Sequence, residues 1–152
     1  NGKTQPPSIT VTYKGKKLSN KYYAVKYTNN KNIGTATVTV TGKGTYKKCS
    51  GKAMFKIVLR TGAISSLKAG KKYITLNWKT ITGSTGYQIQ YSISKNFAKA
   101  KTVKIAGAKK HSTTIKKLTS KKTYYVRVRA YRIANRKTVY GSWSGSKKVV
   151  VK

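Results

Sequence analysis

Apolar and polar residues alternate with a period of two along most of this chain, which is the signature of half-buried β-strands. The clearest run is Thr123–Tyr131. There Tyr124, Val126, Val128 and Ala130 fall on one side, and Tyr125, Arg127, Arg129 and Tyr131 on the other. One side is a core surface; the other is a pair of arginines bracketed by tyrosines. Four strands are expected in the first 60 residues. They lie at 8–13 (Ile9, Val11, Tyr13 inward), 22–28 (Tyr23, Val25, Tyr27), 34–41 (Ala36, Val38, Val40) and 53–59 (Phe55, Ile57, Leu59). Turn signals separate them: Lys14-Gly15-Lys16, Asn29-Asn30-Lys31-Asn32 and Gly42-Lys43-Gly44. From Ala63 onward the pattern predicts seven more strands, at 64–67, 73–79, 86–92, 102–105, 113–118, 123–131 and 147–151. Arg60-Thr61-Gly62 is the one plausible linker. The chain therefore reads as all-β, with two sandwich modules in tandem at residues 1–60 and 61–152.

Composition supports this and adds one abnormality. Hydrophobic residues make up 38% of the 152, with 12 tyrosines among them, enough for a thin sheet-type core. The abnormal feature is charge: 35 Lys plus Arg and no Asp or Glu, a formal net charge of +35. Ordinary domains carry about 25% charged residues of both signs. Self-repulsion on this scale opposes the compact state, and added salt screens it.

The missing acids close several chemistries. No carboxylate pair can act in acid–base catalysis or glycoside hydrolysis, and no carboxylate cage can hold calcium or magnesium. His111 is the only histidine, so no catalytic triad can be assembled, and it reads as an exposed turn residue rather than a metal ligand. Gly42-x-Gly44 is too short for a phosphate loop and sits in a hairpin. Cys49 is alone and has no disulfide partner within the chain; it is either a small buried residue or an exposed thiol. No catalytic residue, metal site or cofactor site is expected, and the chain does not read as an enzyme. No apolar run is long enough to span a membrane. The opening NGKTQPP shows no signal peptide and reads as the interior of something longer.

Two resemblances follow from particular residues. Tyr23, Val25, Tyr27, the Asn29-Asn30 pair, Gly34, Ala36, Val38, Gly42, Gly44, Tyr46, Phe55 and Ile57 resemble an immunoglobulin-like β module of large Gram-positive surface proteins. That family usually has an Asp where Tyr22 stands, and one more strand at its start, so the resemblance implies a truncated module with an open edge. The isopeptide cross-links common in such proteins need a neighbouring acid and are not expected here. Residues 63–152 resemble a fibronectin type III domain. The match rests on Trp78, the Gly86-Tyr-x-Ile-x-Tyr91 run, the Leu118…Tyr124 spacing of a tyrosine corner, and Gly141-Ser142-Trp143-Ser144 before the last strand.

Binding is the function class left open. Tyr125, Arg127, Arg129 and Tyr131 are expected to face outward, beside Gln88 and Gln90 on the neighbouring strand, with Trp143 adding an aromatic edge. Guanidinium groups among rings suit phosphates, sulfates or sugars, although such residues also pack across strands for purely structural reasons. The 30 lysines are spread along the chain, which favours long-range attraction to polyanions over geometric recognition. Three readings stand. The first is a structural or adhesive segment of a cell-surface or secreted bacterial protein, outside the cell, bound to teichoic acid or acidic polysaccharide. The second is a non-specific binder of nucleic acid or other polyanions, anionic membrane surfaces included. The third is an engineered or selected acid-free scaffold with no natural ligand.

Overall fold

A computed structural model of the chain describes residues 6–31, 33–134 and 136–152. It divides into two units, Asn1–Val58 and Leu59–Lys152.

In the first unit, β1 (Thr12–Tyr13) and β2 (Lys16–Lys17) form a short hairpin. Its two loop residues, Lys14 and Gly15, both take positive φ (47° and 80°), the conformation that matches strand twist in two-residue hairpins. A second sheet follows in the antiparallel order β3 (Tyr23–Thr28), β4 (Gly34–Gly42), β5 (Ser50–Ile57). Its register sets Tyr27 against Val38 and Val38 against Ala53, and Ala36 against Phe55, so one face is apolar throughout. Ala36 and Val38 are buried there, and Tyr27 meets Phe55 edge to face at 6.3 Å. Ile9, Val11 and Leu18 cover this face only in part and stay half-buried.

Two expectations change in this unit. The strand expected at 8–13 shrinks to Thr12–Tyr13, because its only ladder partner is a two-residue strand. The strand expected at 53–59 runs instead from Ser50 to Ile57. Leu59 is 5% exposed and belongs to the second unit, where its side chain lies against Gly141. Of the asparagine turn, Asn29 reverses the chain with φ 57°, whereas Asn32 lies outside the described residues.

The second unit has two sheets. One runs in the order β10 (Ser112–Lys116), β7 (Tyr73–Trp78), β6 (Ile64–Gly70). The other contains β8 (Gly86–Ser92), β9 (Lys101–Ala106), β11 (Thr123–Ala134), β12 (Lys137–Tyr140) and β13 (Lys147–Val150). Ile74, Leu76 and Trp78 from the first sheet and Tyr87, Ile89, Val126, Val128 and Ala130 from the second are buried as their alternation requires. Trp78 and Tyr87 pack with ring centroids 5.3 Å apart. The Tyr87 hydroxyl accepts the Ile81 N–H at 2.7 Å and donates to the Ala108 carbonyl at 3.1 Å, tying two loops to the core. Tyr124 closes a corner by accepting the Thr119 N–H at 3.2 Å.

Eight strands appear in this unit rather than the seven expected. β11 continues to Ala134 and pairs with β12, and the final edge is split between β12 and β13. The split has a local cause. The Ser144 N–H donates to the Val128 carbonyl at 2.8 Å while its own hydroxyl accepts the Val128 N–H at 3.0 Å. One serine thus meets both backbone groups of Val128, and the ladder breaks around it.

Both tryptophans lie in the second unit, so their fluorescence reports its unfolding alone. Leu59→Ala is expected to lower the stability of that transition by about 2–4 kcal/mol in denaturant titrations, as for other buried leucines; a change confined to the first unit would place the boundary elsewhere. The Tyr91 phenol supplies a second check. Burial, then the neighbouring Tyr124, raise its pKa above the ordinary 10.0. The folded state therefore holds this proton more tightly than the unfolded chain, a stabilisation present below pH 10 and lost as pH rises through the raised value. The comparison must be with Tyr91→Phe, which carries every other effect of pH unchanged. Wild type is expected to lose stability relative to Tyr91→Phe above pH 10, and not below it.

Candidate anion-binding face

The β8–β11 register brings the expected residues onto one outer face: Gln90 opposite Arg127, Gln88 opposite Arg129, Gly86 opposite Tyr131 and Ser92 opposite Tyr125. The glutamines act at once on the arginines. Gln90 Oε1 accepts from Arg127 Nε at 2.8 Å and also from its Nη2. Gln88 Oε1 accepts from Arg129 Nε at 2.7 Å. In a chain without carboxylates, amide oxygens serve as the acceptors that acids would supply elsewhere.

The flat sides of both guanidiniums are covered by rings. Trp143 sits between them, its ring centroid 4.7 Å from Arg127 Cζ and 4.2 Å from Arg129 Cζ. Phe97 covers the other side of the pair at 4.0 Å from Arg127, and Tyr140 lies 4.1 Å from Arg129. The result is a stack in the order Phe97, Arg127, Trp143, Arg129, Tyr140. Burial lowers the pKa of Arg129; Tyr140 opposes that shift, and the charge of Arg127 adds to it.

Each ring reaches its place through a specific local structure. Ser144 fixes the backbone beside Val128, which leaves Trp143 on the outer side of the sheet. Tyr140 ends β12 directly opposite Tyr131. Phe97 occupies the left-handed region at φ 61°, a conformation that costs about 1 kcal/mol or more for a bulky residue. Its loop is held there by Asn96, whose side-chain oxygen accepts from the Ala98 N–H at 2.9 Å and from the Ser94 hydroxyl at 2.6 Å.

Tyr131 departs from expectation. It points to the outer face, as its position in the alternation requires, yet is only 2% exposed. Its ring lies over Gly86, where an added Cβ would come within 2.6 Å of the Tyr131 hydroxyl. Lys104 Nζ sits 4.6 Å from the centre of the Tyr131 ring, and Tyr140 packs at 6.1 Å. It is therefore a covered floor and not an accessible contact. Tyr125 stands half-buried at the far end of the row, opposite Lys148 on β13. Phe97, Tyr140 and Lys104 were not among the residues the pattern singled out. Lys137–Tyr140 is exposed along its length and Phe97 lies in a loop, so neither left a periodic signal.

Two antiparallel sheets packed through alternating faces, with a tyrosine corner, define the second unit as an immunoglobulin-like β-sandwich. The fibronectin type III domain family matches residues 61–140, and the chain belongs to that family. Among solved structures, the FN1–FN3 domains of chicken CNTN1 are 19% identical with a TM-score of 0.54, covering 79% of this chain and 43% of that one. The present chain thus spans less than half of that fragment. The fn3 domain of human contactin 1 is also 19% identical, at TM-score 0.51, covering 62% of this chain and 80% of that one. A computationally redesigned β-sandwich protein reaches TM-score 0.50 at 16% identity over 62% of this chain and 96% of its own. These likenesses establish the fold. No curated protein matches the chain.

Trp143→Ala removes the ring that separates two like charges. It is expected to destabilise the second unit by about 2–4 kcal/mol, the sum of lost packing and two cation–π contacts. The deficit should shrink in high salt, which screens the exposed Arg127–Arg129 repulsion. A salt-independent deficit would show that Trp143 contributes packing alone.

Proposed function

We propose that this chain is a non-enzymatic structural and adhesive segment of a bacterial cell-surface or secreted protein, which attaches to anionic polymers by diffuse electrostatics. The observation that carries this reading is the combination of +35 net charge with the state of the cations. The arginine pair is engaged internally by glutamines and rings. Lysines such as Lys95, Lys109, Lys116, Lys121 and Lys137 are exposed. Attraction therefore rests mainly on hydrated point charges distributed over the surface, which recognise charge density rather than shape. Wall teichoic acid and acidic polysaccharide are the partners this favours. The family supports the structural role, since fibronectin type III domains are commonly extracellular, typically non-catalytic modules. No helix among the described residues is long and apolar enough to cross a membrane. The first unit is, on this reading, a truncated immunoglobulin-like module lacking its first strand. The face of Tyr125, Arg127, Arg129, Tyr131, Gln88 and Gln90 contributes as one dense part of the charge coat.

Retention on immobilised heparin, purified cell wall and duplex DNA across a salt series tests this. Binding is expected to fall steeply with salt on all three, as ion release requires, with cell wall preferred over DNA of equal charge. Equal or stronger retention on DNA would favour a non-specific nucleic-acid binder. Arg127→Ser with Arg129→Ser should cost no more affinity than Lys109→Ser with Lys110→Ser; a much larger loss would make the arginine face a dedicated site.

A further inference from the structure

The first unit contains a groove of about 500 Å³ that the electrostatic reading does not use. One wall is the consecutive run Ile9–Tyr13, the other is Ser50–Ala53 of β5, and Val38 and Val40 form the floor. Ser50–Ala53 belongs to β5, the edge strand of its sheet, so the groove runs along a free strand edge. On the Ile9–Tyr13 side, β2 and the Leu18 N–H to Val11 carbonyl bond of 2.9 Å occupy the hairpin edge. On the β5 side, β4 pairs along one edge. Gly51 and Ala53 share the apolar face of the sheet with Val38 and Val40 through the register, yet both are exposed. Tyr13 and Tyr46, packed edge to face at 5.2 Å, stand at its rim. Among the described residues, this sheet face is open at Gly51 and Ala53, beside the free edge of β5.

We propose that this groove receives an extended strand from another polypeptide, one that alternates apolar with acidic residues. Backbone pairing supplies the affinity of strand addition, and alternate side chains fill the floor. Charge selects the occupant. The rim carries Lys52, and neither this unit nor the rest of the chain has an acid. A second copy would set lysine-guarded edges against each other, including Lys52 and Lys56 of β5, and is repelled. A strand with acidic outward positions meets complementary charge along the same edges.

The structure provides a blocking variant. An added Cβ at Gly51 meets nothing within 4 Å, and its φ is not positive, so Gly51→Val fits the free protein and projects into the groove. The experiment titrates the full chain with a peptide of alternating Val and Glu, with a peptide of the same residues in two blocks, and with the alternating peptide N-methylated at every second backbone nitrogen. The alternating peptide is expected to bind at least about tenfold more tightly than either control at 0.15 M salt, because only it offers both the ladder and the floor contacts. Gly51→Val should retain the wild-type melting temperature and heparin retention while losing that preference. Slowed amide exchange confined to Ile9–Tyr13 and β5 on peptide addition would locate the contact. Equal binding of all three peptides would overturn the proposal, as would binding that survives Gly51→Val. A parallel loss of heparin retention in Gly51→Val would also overturn it, by assigning the groove to the polyanion. Failure of polyanion binding altogether, with the peptide preference intact, would overturn the proposed function and leave this inference standing.

Discussion

The absence of any carboxylate is the constraint that shapes the rest of this molecule. Two arginines at alternate positions of one strand lie on the same side of the sheet, as two like charges side by side. A protein with acids would set one between them. Here the negative faces of aromatic rings and the carbonyl oxygens of glutamines do that work. A ring offers less attraction than a carboxylate but needs no desolvation of a second ion, so the stack is tolerable at a half-buried site. The surrounding structure is fitted to it: the interrupted last edge places Trp143, the strained loop places Phe97, and Gly86 leaves room for Tyr131 beneath Lys104.

The two units meet the loss of salt bridges differently. The second has a core with Ile74, Leu76, Tyr87, Ile89, Val126 and Val128 wholly buried, so repulsion among its lysines acts on a frame held by apolar area. Among the described residues of the first, Ala36 and Val38 are the buried apolar ones, and Met54 is 76% exposed. Local opening is therefore expected to concentrate in the first unit. A thin, partly uncovered sheet is also the more receptive surface, which is why an accessible apolar groove occurs there and the second unit's polar ladder stays closed.

The strand pattern carried most of the fold, and of the stacked face it carried the arginines, the glutamines and Trp143 but not Phe97, Tyr140 or Lys104. Period-two alternation is a direct consequence of strand geometry, so Tyr124, Val126, Val128 and Ala130 could be assigned inward, and the buried core agrees. Leu59 was misplaced because alternation from Phe55 and Ile57 continues through it; only the fold shows that it packs against Gly141 in the other unit. β12 escaped notice since Lys137–Tyr140 is exposed throughout and has no apolar side to announce it. Tyr131 illustrates a different limit. Alternation states which way a side chain points, not what lies on top of it, and Gly86, Lys104 and Tyr140 come from elsewhere in the chain.

Arginine gives geometric selectivity through its fork of donors and its flat faces. At Arg127 and Arg129 the stack occupies those faces and the glutamines occupy the Nε donors, so these two cations are spent on holding the sheet together. The lysines that remain at the surface attract anions of any shape. On the proposed reading, discrimination among acidic partners comes from somewhere other than charge, and the apolar slot beside Gly51 and Ala53 is the shaped surface that could supply it. In that proposal charge brings partners near, and the open part of the first unit's sheet decides among them.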